Sequence, residues 1–247
     1  GFLQGHIYRS LSNTTQDVAI VVHEMFKHQF VCASSKGDLW YEFKNHRWHQ
    51  SKHGISLKKL LGHGPNSVWN EYVKLISQYN IAAIEIEAER KDHALLRAKA
   101  LTDLTYKLRD LGFKERIMKE CAVMFYDPKF EAKLDSNPFL LGFENGVMDL
   151  AEGIFRDGRP EDYISLSTLN DYPDVDMDYD DPIVQEILEF FSQIFPDEEL
   201  KEYALLLFSS FLQGTNPEEK FHVFTGVGGN CLLPQILHHL PGSIPLI

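Results

Sequence analysis

The chain has 247 residues, 44% of them hydrophobic and 12% aromatic, and 24 basic against 36 acidic side chains give a net charge of −12. That is apolar material for one large folded domain or two to three small ones, and it excludes a disordered chain. The acidic balance also excludes a nucleic-acid sleeve over the whole surface, so any such contact must come from a local basic patch or from an oligomer's channel.

Thr14 and Asp17 form a capping-box pattern that opens a helix, and Val18, Val21, Val22, Met25 and Phe26 then fall on one helical face. Short strands follow at 30–33, 39–43 and 47–50, the last two forming a hairpin around Lys44, Asn45 and His46. In this hairpin Trp40, Lys44, Arg47, Trp48 and Lys52 mix aromatic and cationic side chains, as a single-stranded nucleic-acid surface requires, since bases stack on rings while Lys and Arg hold phosphates. Core packing is the competing reading, because strand alternation puts Trp40 and Glu42 on one face and Tyr41 and Phe43 on the other. His46, His49 and His53 stand close together here, without the cysteine or paired-carboxylate support that would mark a metal site, and read as solvated turn residues.

Residues 66–112 are mostly helical. Val68, Trp69, Tyr72, Val73 and Ile76 give one stripe, and Leu95, Leu96, Ala98, Leu101, Leu104, Tyr106 and Leu108 give another that ends at Gly112. A third helix covers 114–124, and the three are expected to pack as a roughly antiparallel bundle. The period then changes to two. Short strands are expected at 139–143, 147–150, 154–156 and 163–166, separated by turns at Asn145–Gly146, Glu152–Gly153 and Asp157–Gly158. Glu152, Asp157, Glu161 and Asp162 sit in these turns with no base or nucleophile beside them, which speaks against an independent active site.

Residues 171–181 hold six aspartates and read as a solvated linker. No glycine turn or distal bidentate Glu marks them as a cation loop. Pro182 fits the first position of a helix with Ile183, Ile187, Leu188, Phe191 and Ile194 on its apolar face. Pro196 ends it, and Asp197 caps a second helix that runs to about 212 and closes at Gly214. The longest apolar stretch, 203–212, is broken by Ser209 and Ser210 and is too short to span a bilayer. No signal peptide is visible. Cys32, Cys121 and Cys231 are few, odd in number and far apart, so a reducing compartment and an intracellular, soluble protein are expected.

The stretch KFHVFTGVGGN, 220–230, begins a phosphate-binding loop. An apolar strand, 221–224, leads into Gly226, Gly228, Gly229 and Asn230, whose backbone N–H groups would cradle phosphates. Counted from Gly226, the pattern G-x-x-x-x-G-K-[ST] places Cys231 at the second glycine, Leu232 at the lysine and Leu233 at the Mg²⁺-binding hydroxyl. Losing that lysine removes charge-assisted bonds of roughly 1.5–3 kcal/mol, about 10- to 150-fold in nucleotide affinity. Residues 231–247 then carry three prolines and no charged residue apart from two histidines, a composition break read as out-of-frame or read-through sequence.

Phe139–Pro173, with its G-V-M-D-L-x-x-G-x-F-R core, resembles the signature region of the poxvirus-type primase–helicases of large DNA viruses and the related phage and plasmid primases. Trp40–Trp48 fits an earlier hairpin of that family. Glu189–Asn230 is similar to the helical collar that leads into a superfamily 3 helicase loop. The resemblance runs from about Thr14 to Asn230. It implies an α+β protein: a mostly helical N-terminal region with short antiparallel strands, a helical collar, and the first strand of an AAA+ domain. The implied organisation is a small α/β region at 1–58, a helical and short-strand domain at 59–170, an acidic linker and collar at 171–217, and the start of a helicase domain with an aberrant tail at 218–247.

Intact relatives of this kind are expected to be hexameric, ATP- and Mg²⁺-dependent replicative helicases that act on single-stranded DNA with primase and other replication proteins. Their setting is a viral replication site or an integrated viral element. For this chain the expectation is a piece without catalysis and with no tightly bound cofactor, or alternatively a non-catalytic DNA-binding or primase–helicase assembly module.

Overall fold

The structure is a computed structural model and describes residues 2–85, 88–173 and 179–213, together with Phe221 and Val223. It is α+β, with two separate three-stranded antiparallel sheets among predominantly helical elements. The described residues divide into two compact units. One holds residues up to 44 and 48–134, and the other holds 45–47 and the residues from 135 onward.

The first unit opens with α1 (Phe2–Ser10) and α2 (Thr15–Phe26). The expected cap is present: Thr14 has extended backbone, and its Oγ1 accepts the Asp17 N–H at 3.2 Å. The Asp17 carboxylate in turn accepts from the hydroxyls of Ser12 and Thr14, which hold its carboxyl below the usual range. Val18, Ala19, Val21, Val22 and Phe26 are buried, so the 3.6-residue stripe is the core face. Strands β1 (Phe30–Cys32), β2 (Leu39–Lys44) and β3 (Arg47–Lys52) follow in that spatial order. The far edge of β1 is covered by the chain just after α6 (Leu111–Met124): the Cys32 N–H donates to the Phe125 carbonyl, and the Asp127 N–H donates to the Cys32 carbonyl. Covering that edge removes an open row of backbone donors and acceptors.

Two further helices, α3 (Ile55–Gly62) and α4 (Val68–Glu85), lead to α5 (Ala88–Lys107). Helices α1 and α3 are additions to the sequence expectation. Each is a short helix whose amphipathic pattern offers only a few apolar positions: Ile7 is the buried anchor of α1, and Leu57 and Leu61 are those of α3. Along α5, Ala98, Leu101, Leu104 and the following Leu108 are buried, while Leu95, Leu96 and Tyr106 are exposed. The stripe is therefore narrower than expected. Gly112 does not end it: α5 stops at Lys107, and Asp110 caps α6 by accepting the Phe113 N–H at 2.7 Å, which leaves Gly112 in the first turn of α6.

One hydrophobic core joins these elements. Val18 and Val22, Phe30, Trp40, Leu57, Leu61, Tyr72, Leu104, Ile117 and Cys121 are all within it, so it draws on residues from both sides of position 58. The Tyr72 hydroxyl donates to Ser10 Oγ at 3.0 Å, and Ser10 donates to the Ile7 carbonyl, which satisfies a buried polar chain between α4 and α1. On the other side of β2 and β3, the short helix α7 (Phe130–Lys133) brings Phe130 to 5.1 Å from the Tyr41 ring and 4.9 Å from the Trp48 ring.

The second unit is built on a meander of β4 (Leu140–Phe143), β5 (Gly146–Asp149) and β6 (Ile154–Arg156). The register sets Phe143 opposite Gly146 and Asp149 opposite Ile154, so the turns are Glu144–Asn145 and residues 150–153, the latter closed by Gly153 at φ +66°. The strand expected at 163–166 is not a strand. A 3₁₀ turn, Pro160–Asp162, precedes it, and the Asp135 carboxylate takes the N–H groups of Ser165 and Leu166 that a ladder would use. Two helices close the described chain: α8 (Pro182–Ile194), capped by Asp181 with Pro182 at its first position, and α9 (Glu198–Phe211), capped by Asp197. Gly214, expected to end this last helix, lies outside the described residues. No helix among the described residues is long and apolar enough to cross a membrane.

Candidate nucleic-acid interface

The β2–β3 hairpin turns through Asn45 and His46, both at positive φ (47° and 65°), the geometry that matches the twist of a two-residue hairpin. This turn fixes where the five expected nucleic-acid residues point. Trp40 has no exposed surface; its indole lies 5.6 Å from the Phe125 ring, and its Nε1 donates to the Gly37 carbonyl at 3.0 Å. Trp48 is 4% exposed, held between Phe43 and Phe130. Both rings are thus spent on the protein's own interior in this arrangement.

Arg47 gives both guanidinium arms to Glu144, which also accepts from the Ser167 hydroxyl. Lys44 lies 3.5 Å from Glu42, and Lys52 stands exposed at the end of β3. The hairpin therefore presents two exposed cations and no open aromatic face from this set. Beside it, burial and the acceptor Glu131 push the Tyr41 phenol up to about 12.

Two of the region's three histidines, His46 and His49, set a ring nitrogen against a backbone group. His46 Nδ1 accepts the Gly158 N–H at 3.2 Å, and His49 Nε2 lies 3.1 Å from the Lys44 carbonyl oxygen. Among the described residues no group of three or more His, Cys, Asp or Glu could hold a metal ion.

The loop residues Gly226, Gly228, Gly229 and Asn230 lie outside the described residues. So does most of the strand expected at 221–224. Its two described members, Phe221 and Val223, are exposed and belong to no strand.

The G-V-M-D-L-x-x-G-x-F-R stretch turns out to carry architecture. A Cβ on Gly146 would stand 2.5 Å from the Phe155 ring and 2.7 Å from the Arg156 carbonyl oxygen. Val147 is fully buried. Asp149 accepts the N–H groups of Ala151 and Glu152 and so shapes the next turn. Phe155 stacks on Tyr172 at 4.4 Å. Arg156 holds Asp162 through both guanidinium arms, with Asp149 at 3.7 Å. Burial raises the Asp162 carboxyl, but Arg156 and the Arg159 N–H outweigh it, so the carboxyl sits below the ordinary range. Of the turn carboxylates, Asp162 thus serves as the counter-ion of Arg156.

A second mixture of rings and cations lies where α4, α5 and α6 meet, a place the sequence reading did not single out. The Arg109 guanidinium carbon is 5.7 Å from the Trp69 ring centre and 5.9 Å from that of Tyr106. Arg109 and Lys107 are exposed, and Tyr106 is 65% exposed. No carboxylate lies within 4 Å of Arg109 or Lys107 among the described residues. The signal was present in the sequence T-Y-K-L-R-D: Tyr106 lies two residues from both Leu104 and Leu108, off the helical stripe those two define.

The D5 N-terminal-like family matches residues 19–196. "Putative helicase L207/L206" of Acanthamoeba polyphaga mimivirus is 39% identical over 98% of this chain and 25% of its own length. "Putative helicase 022R" of Frog virus 3 (isolate Goorha) is 23% identical over 88% of this chain and 31% of its own length. "Putative helicase 184R" of Invertebrate iridescent virus 6 is 37% identical over 54% of this chain and 14% of its own length. The chain spans about a quarter to a third of the length of the first two relatives. With the family match covering most of its residues, and with the resemblance to viral primase–helicases read from its sequence, the chain belongs to the D5 N-terminal-like family of viral helicase-type proteins.

Proposed function

We propose that the chain is the strand-positioning part of a viral replicative DNA helicase of the primase–helicase type, and that it does not itself hydrolyse ATP. One observation carries the reading: the D5 N-terminal-like match over 19–196, within an alignment that runs along nearly the whole chain to a much longer viral protein named "Putative helicase L207/L206". The absence of hydrolysis rests on the residues. Leu232 and Leu233 stand where a phosphate-binding loop needs Lys and Ser/Thr, so neither phosphate charge nor Mg²⁺ has its ligand. The described units support a scaffold role, because their specific motif residues are consumed in packing, turns and internal ion pairs. On this reading ATP and Mg²⁺ act in the longer proteins of the family, with single-stranded DNA as the polymer acted on.

The test pairs two assays on the purified chain. Steady-state Mg-ATP hydrolysis is expected to equal that of a Gly228→Asp control; turnover well above that control overturns the non-hydrolysing reading. Single-stranded DNA is expected to bind in the range of roughly 1–100 μM at physiological salt, weakening as salt rises. No binding up to about 100 μM overturns strand positioning.

A specific observation also favours assembly. Helices α8 and α9 leave Ile183, Ile187, Leu200 and Leu206 about half or more exposed, the last at 71%. Exposed apolar side chains mark a contact surface where they join into one large patch. Light scattering across a concentration series is expected to show mass growing above 28.4 kDa; a constant monomer mass contradicts assembly through this chain.

A further inference from the structure

We infer that the corner formed by Trp69, Tyr106, Lys107 and Arg109 is a contact site for single-stranded DNA: a base stacks on Tyr106 beside the Arg109 guanidinium, and Lys107 faces the phosphates. The inference rests on the strand-handling role proposed above and assigns it to residues.

The chain is acidic, and several of its cations are held by carboxylates: Lys27 by Glu24, Arg47 by Glu144, Lys58 by Glu115, Lys74 by Glu71, Lys133 by Asp127 and Arg156 by Asp162. Arg109 is an exposed cation set against rings instead. Its neighbours are two ring faces, and its charge has no carboxylate within 4 Å among the described residues. A guanidinium stacked on an aromatic face keeps its edge N–H groups free to donate, and a phosphate or a base edge can take them.

The site is held in place. Leu108 is fully buried, and its N–H donates to the Leu104 carbonyl. The N–H groups of Arg109 and Asp110 donate to the carbonyls of Tyr106 and Lys107, so the backbone under the cation is pinned. The Asp110 carboxylate accepts the Phe113 N–H in its capping role. Trp69 backs the guanidinium from α4, and its buried Nε1 finds no hydrogen-bond partner among the described residues. Arg97 provides the contrast. It too lies against two rings, Tyr8 and Tyr79, but it is half-buried and joins α1, α4 and α5 as packing. Tyr106, by comparison, offers an open face, which the buried hairpin tryptophans do not. Stacking needs only a π-face on the base, so the site takes single strands with little sequence preference.

The experiment is fluorescence anisotropy of a labelled 20-nucleotide oligo-dT with the full chain. The wild type is compared with Tyr106→Ala, Arg109→Ala, Arg109→Lys and, as a control outside the site, Lys44→Ala. Tyr106 is exposed, so its truncation leaves the fold, checked by the thermal melt, intact. Tyr106→Ala and Arg109→Ala are each expected to weaken binding at least about 5-fold, the lower end of one lost base stack. Arg109→Lys is expected to recover only part of the loss, because it keeps charge without the planar stack, and Lys44→Ala is expected to change nothing. Wild-type binding with Tyr106→Ala and Arg109→Ala unaffected overturns this site and leaves the strand-positioning role standing. Absence of wild-type binding overturns both. Selective loss with Lys44→Ala assigns the contact to the hairpin and overturns the corner.

Discussion

Gly54 shows how much one missing side chain decides. It caps α3 at φ +58°, a left-handed conformation that L side chains adopt at a cost of roughly 1–2 kcal/mol. A Cβ there would also sit 2.8 Å from Met118 Cε and 3.1 Å from two atoms of the Trp40 ring, in the centre of the core. Gly54→Ala is therefore expected to destabilise the first unit by about 2–4 kcal/mol, combining strain with overpacking. A urea unfolding midpoint equal to wild type would contradict this. The carboxylates act at the same scale. Asp17, held by Ser12 and Thr14, and Asp127, held by Lys133, have carboxyls below their ordinary values, as Asp162 does. A depressed folded-state value means that the unfolded chain takes up protons first. The stabilisation is thus complete above the ordinary carboxyl range near pH 4 and is lost as pH falls through the folded-state values. Thermal melts are expected to be flat from pH 7 to about 5 and to drop below about 4; a melting point that rises on acidification to about pH 3 contradicts this sign.

At the scale of the element, the meander of the second unit depends on close backbone approach. A Cβ on Gly142 would stand 2.4 Å from the Leu166 carbonyl oxygen, and one on Gly158 would stand 2.2 Å from that of His46. Neither oxygen belongs to a movable side-chain tip, so the backbone itself has to shift. Gly142→Ala is expected to raise hydrogen exchange at the Thr168 amide, which donates to the Gly142 carbonyl, at least about tenfold, the equivalent of roughly 1.4 kcal/mol. Unchanged exchange there would refute the close-packing account. Elements were legible where a period met a boundary signal. Thr14, Pro182 and Asp197 each open the helix that the apolar spacing proposed, and the hairpin followed from short runs around a polar turn. The strand at 163–166 was misread because alternation reports a half-buried extended chain but not its hydrogen-bond partners, and here those partners are the Asp135 side chain. Helices α1 and α3 were missed because two or three anchors per helix fall below what a period can reveal.

For the whole molecule, fold class and family were legible in the sequence, while the position of a binding surface was not. The mixture W-Y-E-F-K-N-H-R-W has the composition of a stacking hairpin, yet Trp40 and Trp48 are buried on opposite sides of the sheet and Arg47 is closed by Glu144, about a hundred residues away in sequence. Only the tertiary fold decides which rings remain open, and Tyr106 is among those that do. The fragmentary phosphate loop stays a sequence argument: an occupied nucleotide site with Leu232 in the lysine position would need affinity from backbone N–H groups alone. The role we propose for the chain is therefore to hold a strand rather than to turn over nucleotide. The most direct measurement is a titration of the chain with labelled single-stranded DNA, with and without Mg-ATP. The account predicts salt-sensitive binding with the same affinity in both arms and no ATP consumed. Absence of binding, or binding accompanied by sustained ATP turnover, would contradict it.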